Sequence, residues 1–181
     1  MGMRLFLYGT LLDPDVRRII LPHLHRTLEL QPAELRGFRR VAARDGDYPV
    51  LIPHPAARVR GHLAEGVDLP GLARAAYFEG ALYQPALRTV RNAKNRSVQT
   101  WLFLPTDARR QGSRKAWDLR HWQRRRKRQL LLITKQWMAE FGAKGFSGGD
   151  LSWQGRRTLL RLARETEGNT VGRKTIRIDP A

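Results

Sequence analysis

The sequence predicts an α+β fold: a small, mixed, barrel-like β domain with short helices, followed by a helical extension. Three observations point there. Residues 4–104 carry five or six strand-like segments and only two short helical ones, so the strand–helix alternation of a parallel βαβ sheet is missing. Turn signals such as Asp45-Gly46-Asp47 separate the strand-like segments. After Pro105 the pattern changes to a basic, helical periodicity.

In chain order, residues 4–8 form an apolar strand that stops at Gly9. Asp13-Pro14 is a helix start, with an acidic N-cap and proline at the first helical position, and that helix runs to about Leu21. Residues 33–43, 48–52 and 58–66 read as strands. Leu69-Pro70-Gly71 opens a short helix to about Phe78, and residues 81–91 and 97–104 form a hairpin around Asn92-Ala93-Lys94-Asn95. Thr106 to Gly112 reads as a polar linker. From Lys115 to Phe141 one helical stripe collects Leu119, Trp122, Leu130, Ile133, Trp137 and Phe141, with a snorkelling Arg126 or a bend near Arg124–Arg128, and Gly142 and Gly145 end it. A second amphipathic helix is expected from Asp150 to about Glu167, and Thr175–Ile178 hints at a strand. The expected organisation is a barrel domain over 1–106 and a basic helical extension over 107–181.

The chain of 181 residues is long enough for a sizeable core, and its 41% hydrophobic content with five Trp and six Phe excludes global disorder. With no cysteine, disulfides, thiolate catalysis and cysteine-ligated metals are excluded. No apolar run approaches the ~20 residues that cross a bilayer, and the N-terminus does not read as a signal peptide. The expected setting is cytoplasmic, with no membrane partner. The net charge of +18 is unevenly spread, since residues 107–142 hold 11 Lys and Arg against 3 Asp and Glu. That segment is either a solvated arginine-rich face or a surface for an anionic partner.

Two segments bear on chemistry. Tyr8-Gly9-Thr10-Leu11 is either an ordinary strand-ending turn or a glycine turn whose free N–H groups form a concave anion site. Glu79 is either a solvated helix-end carboxylate or, among Ala75, Ala76, Tyr77, Phe78, Ala81 and Leu82, a desolvated acid with a raised pKa. By the same reading Tyr48 and Tyr83 are core or rim aromatics.

In order along the chain, Tyr8-Gly9-Thr10-Leu11, Tyr48-Pro49-Val50-Leu51, Val59-Arg60-Gly61-His62-Leu63 and Phe78-Glu79-Gly80-Ala81-Leu82-Tyr83 resemble motifs of the gamma-glutamylcyclotransferase-like (AIG2-like) superfamily. The resemblance covers roughly residues 4–104. It implies a compact closed sheet with a pocket at one end and no cofactor or metal. It implies that Glu79 is the acid–base residue of an enzyme that cyclises a small γ-glutamyl substrate to 5-oxoproline and releases an amine or amino acid. It also implies that Tyr8, Gly9, Thr10, Leu11, Tyr48 and Tyr83 contact that substrate. Where many relatives carry Leu-Asp before the Phe/Tyr-Glu pair, this chain has Ala75-Ala76, which removes a carboxylate beside Glu79.

Other signals are weaker. Gly145-Phe146-Ser147-Gly148-Gly149 fits G-x-S-x-G, but a helix precedes it and the last histidine is upstream at His121, so a glycine-rich connection is expected. His23 and His25 lack an evident third metal ligand, and no nucleotide-binding glycine motif is present. Trp117, Trp122, Trp137 and Trp153 lie among basic residues, the composition of a nucleic-acid platform, although Trp122 and Trp137 fall on the apolar stripe. A non-catalytic module of the same fold, binding nucleic acid or an acidic partner through its basic helices, is the alternative to the enzyme.

Overall fold

The computed structural model describes residues 2–144. Its strands are β1 (Met3–Leu7), β2 (Glu29–Ala43), β3 (Pro49–Val67), β4 (Tyr83–Asn92), β5 (Ser97–Pro105) and β6 (Gly112–Ala116). The helices are α1 (Pro14–Ile20), α2 (Leu69–Glu79), α3 (Ala108–Gln111), α4 (Leu119–Arg125) and α5 (Lys127–Lys144). Strands follow the order β3-β1-β5-β4-β2, and β2 pairs back onto β3, which closes a five-stranded barrel with β6 attached outside β2. Only β1 and β5 run parallel; every other pairing is antiparallel, so the barrel is mixed as the sequence indicates.

The unbroken apolar runs of β1 and β5 follow from burial on both faces. Leu5, Leu7, Trp101 and Phe103 pack towards the helices, while Phe6, Leu102 and Leu104 join Leu35, Leu51 and Leu63 inside the barrel. Asp13 caps α1 by accepting from the amides of Asp15 (2.9 Å) and Val16 (3.3 Å), which fixes the helix start that Asp13-Pro14 signals.

Several expected boundaries change. The segments 48–52 and 58–66 are one long strand, β3, paired with β2 across a bulge at Gly37, whose φ of +82° suits glycine. Residues 53–56, between them, are exposed and carry two prolines, which hides the strand pattern. The expected linker 106–112 is instead α3 leading into β6, which pairs with the end of β2 through Ala43↔Gly112 and Val41↔Ala116. Lys115 therefore belongs to a strand, and the helical region begins at Leu119, capped by Asp118 accepting from the His121 amide at 2.7 Å.

The bend falls at Arg126 (φ −126°, ψ −19°), and α5 passes through Gly142 to Lys144. This break shifts the phase of the stripe. Trp122, Met138 and Phe141 are buried, but Trp137 remains 42% exposed rather than joining the core. The expected helix 150–167, the strand hint at 175–178, Trp153 and the Gly145–Gly149 motif lie outside the described residues. Among the described residues no helix is long and apolar enough to cross a membrane.

The helices after the barrel strands are held by a buried charge. Asp13 has no exposed surface, and its carboxylate accepts from Gln123 Nε2 (2.7 Å) and pairs with Lys127 Nζ (2.9 Å), which also reaches Asp15 at 2.7 Å. Burial pushes the Asp13 carboxyl up, but the hydrogen bonds from Lys127, Gln123 and the cap amides prevail and hold it below the usual carboxylate range.

Candidate active site

A cavity of about 1040 Å³ lies where the turn after β1, the 42–49 segment, the end of α2 and α5 meet. Tyr8, Gly9, Thr10, Leu11, Tyr48, Glu79 and Tyr83 all line it. The fold thus brings together on one surface every site residue named from the sequence.

The glycine turn is built by close packing. A Cβ on Gly9 would stand 2.5 Å from Pro49 Cγ, so the first motif closes directly onto the second. Its φ of −124° is ordinary, and space rather than backbone freedom demands glycine. The chain then enters a 3-10 turn over Thr10–Leu12, closed by the Leu12 amide donating to the Gly9 carbonyl (2.9 Å) and the Asp13 amide to that of Thr10 (3.0 Å). The amides of Gly9, Thr10 and Leu11 have no backbone acceptor among the described residues.

The three tyrosines play different structural parts. Tyr8 donates its hydroxyl to the Phe103 carbonyl at 2.5 Å, so the hydroxyl is engaged within the barrel. Burial, then the nearby Glu79 and Tyr83, push the Tyr8 phenol well up, with Arg40 opposing; Arg40 Nη1 donates to the Tyr8 carbonyl at 2.6 Å. Tyr83 donates to the Pro49 carbonyl at 2.7 Å and meets the Tyr48 ring edge-on at 6.4 Å. Burial first, then Glu79 and Tyr48, raise the Tyr83 phenol, so it stays a neutral donor.

Glu79 ends α2, whose Leu72, Ala73 and Ala75 are fully buried against the core. Gly80, at φ +65°, then turns the chain towards β4, a conformation that favours glycine. The Glu79 side chain keeps some surface towards the cavity, yet burial among its apolar neighbours pushes its carboxyl up from 4.5 to about 8. Among the described residues nothing hydrogen-bonds or ion-pairs with it, and Ala75 and Ala76 provide no neighbouring carboxylate. Glu79 is a lone acid poised near neutrality.

Three features escaped the sequence. Arg40 braces the turn and lies 5.2 Å over the Trp117 ring. Trp117 in turn donates to the Asp47 carbonyl at 3.2 Å, and Arg126 pairs with the Asp47 carboxylate at 3.4 Å, which ties the 42–49 segment to α4. Gln129, Ile133 and Trp137 of α5 form one cavity wall. The interleaved tryptophans were the available signal, but only the break at Arg126 decides which of them face the cavity. His23 pairs with Asp68 at 3.0 Å and His25 bonds the Pro22 carbonyl at 2.7 Å. Among the described residues no three His, Asp or Glu side chains cluster to hold a metal.

Comparison with known proteins agrees with this architecture. The family model described as gamma-glutamyl cyclotransferase, AIG2-like, matches residues 5–124. AIG2-like protein A of Arabidopsis thaliana is 29% identical over 137 residues, spanning 74% of this chain and 79% of that protein. A solution structure of an Arabidopsis thaliana protein superposes with a TM-score of 0.55 at 22% identity, covering 84% of this chain and 93% of that one. A structure titled gamma-glutamyl cyclotransferase gives 0.52 at 12% identity, covering 89% and 99%. The two structures share the fold. The chain belongs to the AIG2-like gamma-glutamyl cyclotransferase family.

Proposed function

We propose that the protein is an enzyme that cyclises a small γ-glutamyl compound, releasing 5-oxoproline and an amine or amino acid, with Glu79 as the proton shuttle. The observation that carries this reading is a lone carboxyl near pKa 8 on the wall of the cavity that the Gly9–Leu11 turn also lines. A carboxylate pushed up this far is a much better acceptor for a proton from the substrate's α-ammonium than an ordinary glutamate.

In this reading the ionised Glu79 takes one proton from the substrate's α-ammonium group. The freed nitrogen attacks the substrate's own γ-carbonyl carbon and forms a five-membered ring, an intramolecular step favoured by proximity. The carbonyl oxygen becomes an oxyanion, for which the amides of Gly9, Thr10 and Leu11, without an acceptor among the described residues, are the available donors. Collapse breaks the bond from the γ-carbon to the leaving nitrogen, which receives the proton from Glu79; the regenerated carboxylate then takes the second proton from the cationic ring nitrogen and passes it to the released amine, which departs as an ammonium. Tyr48 and Tyr83 wall the site, with the Tyr83 ring held by its hydrogen bond to Pro49.

The test is release of 5-oxoproline from a panel of γ-glutamyl amines, γ-glutamyl dipeptides and glutathione. Glu79→Gln should cut turnover at least ~100-fold, the usual scale of general acid–base catalysis. No 5-oxoproline from any substrate with the wild-type chain, or a Gln variant as fast as wild type, overturns the proposal.

A further inference from the structure

A second concavity, of about 750 Å³, shares no lining residue with the first and differs from it in chemistry. Its walls carry six arginines, Arg36, Arg40, Arg58, Arg60, Arg91 and Arg120, against the two carboxylates of Glu34 and Asp118. Strand register explains the crowding. Glu34 of β2 stands directly opposite Arg60 of β3 and Arg91 of β4, forming one row across three strands. Two residues along, Arg36 stands directly opposite Arg58. Residues opposite each other share a face, and this face points outward because Leu35 and Val59, between them, fill the barrel interior.

Like charges placed directly opposite on neighbouring strands are destabilising. Glu34 relieves part of this, lying 3.3 Å from Arg36 and 3.7 Å from Arg58. Arg60 and Arg120 have no ion pair among the described residues. The cleft therefore holds a fixed excess of guanidinium groups. On a sheet, rows two residues apart lie about 7 Å from each other and strands about 4.8 Å, so the arginine heads form a grid rather than a point site.

The form of the grid narrows the ligand. Five of the six arginines are exposed and only Arg40 is partly buried, unlike a pocket that encloses a small molecule. No Phe, Tyr or Trp lines the cleft, and its single ring, the half-buried His62 imidazole, does not make the row of platforms on which successive bases of a single strand stack. Repeated phosphates along a rigid backbone match a grid of exposed guanidinium forks. We infer that this arginine cleft, between β2, β3, β4 and α4, binds the phosphate backbone of duplex nucleic acid without reading its sequence. The inference is independent of the cyclisation chemistry at Glu79, and it centres the nucleic-acid surface on the barrel wall, with Arg120 the one guanidinium of the cleft that comes from the basic segment 107–142.

The test is fluorescence anisotropy with a labelled 20-base-pair DNA duplex of mixed sequence, using the full chain. Engaging about four phosphates, the cleft should lose affinity about 100-fold between 50 and 200 mM salt. The triple variant Arg58→Gln/Arg60→Gln/Arg91→Gln removes the Arg36–Arg58 repulsion and should melt no lower than wild type. It should bind at least about 10-fold more weakly at 50 mM salt, with the salt slope reduced by two to three, alike on unrelated duplexes. Arg109→Gln/Arg110→Gln/Arg128→Gln, with equal charge removed outside the cleft, should keep most of the affinity. Equal weakening by both triple variants overturns the inference, as does no binding at 50 mM salt. Saturation of the cleft by inorganic tripolyphosphate without duplex binding also overturns it, since the ligand would then be a small anion.

Discussion

Replacing Glu79 with glutamine should stabilise the protein at alkaline pH, and the size of the effect follows from its burial. The folded carboxyl titrates near 8, against 4.5 ordinarily, because the charged form is desolvated. Between those values the folded chain holds a proton that the unfolded chain has released. Stability from the neutral acid is thus fully present below about 4.5 and is lost as pH rises through about 8. At about 1.36 kcal/mol per pH unit, that interval amounts to at most ~5 kcal/mol. Glu79 keeps surface towards the cavity, where solvent screens the charge, so ~2–3 kcal/mol is the working figure. Glutamine has no charge to desolvate. Urea unfolding of both proteins at pH 5, 7 and 9 should give curves that nearly coincide at pH 5, with the variant gaining steadily thereafter. By pH 9 the gap should reach ~2–3 kcal/mol at unchanged m, and the same pair followed by thermal melting should differ by about 5–10 °C in Tm. A gap constant across the range, or a wild type that gains over the variant as pH rises, refutes a desolvated Glu79 without any reference to turnover.

Two further outcomes test how the site is assembled. Asp13→Ala removes a helix cap and the buried partner of Gln123 and Lys127, and should cost about 2–4 kcal/mol in urea unfolding. Asp15→Asn, at a half-exposed position, should cost under about 1 kcal/mol; equal losses would show that the buried pairing at Asp13 is not what docks α4 and α5. Gly9→Ala forces a methyl to 2.5 Å from Pro49 Cγ and should lower stability by about 1–3 kcal/mol, seen as a drop in Tm. An unchanged melting curve would mean that the turn and the 42–49 segment are not held in contact.

What could be read from the residues was what depends on near neighbours. The apolar runs of β1 and β5, the Asp13-Pro14 helix start and the Asn92–Asn95 hairpin, with Asn95 at φ 55°, all declare themselves locally. The seven site residues came from motif resemblance, and they do share one cavity. What could not be read depends on partners distant in the chain. The strand Gly112–Ala116 has no apolar alternation and exists because β2 offers it an edge. Engagement of the Tyr8 hydroxyl by the Phe103 carbonyl requires knowing which strands flank β1. The Arg36–Arg58 opposition appears only once the β2–β3 register is fixed. Periodicity located the apolar face of the helical region, but a single interruption at Arg126 moved Trp137 from core to cavity wall.

Pairing of β6 with the end of β2 has a consequence for how the chain survives its own synthesis. Val41 and Ala43 are buried; Val41 pairs with Val50 of β3 and the Ala43 amide donates to the Tyr48 carbonyl, while the other side stays open until β6 arrives. A ribosome that has released residues only as far as Pro105 has delivered all five barrel strands while this edge stays bare. An unpaired edge of apolar residues is a template for joining another chain. Shielding it falls to residues made later, so a stalled or clipped product ending before Gly112 is the form of this protein most prone to aggregate.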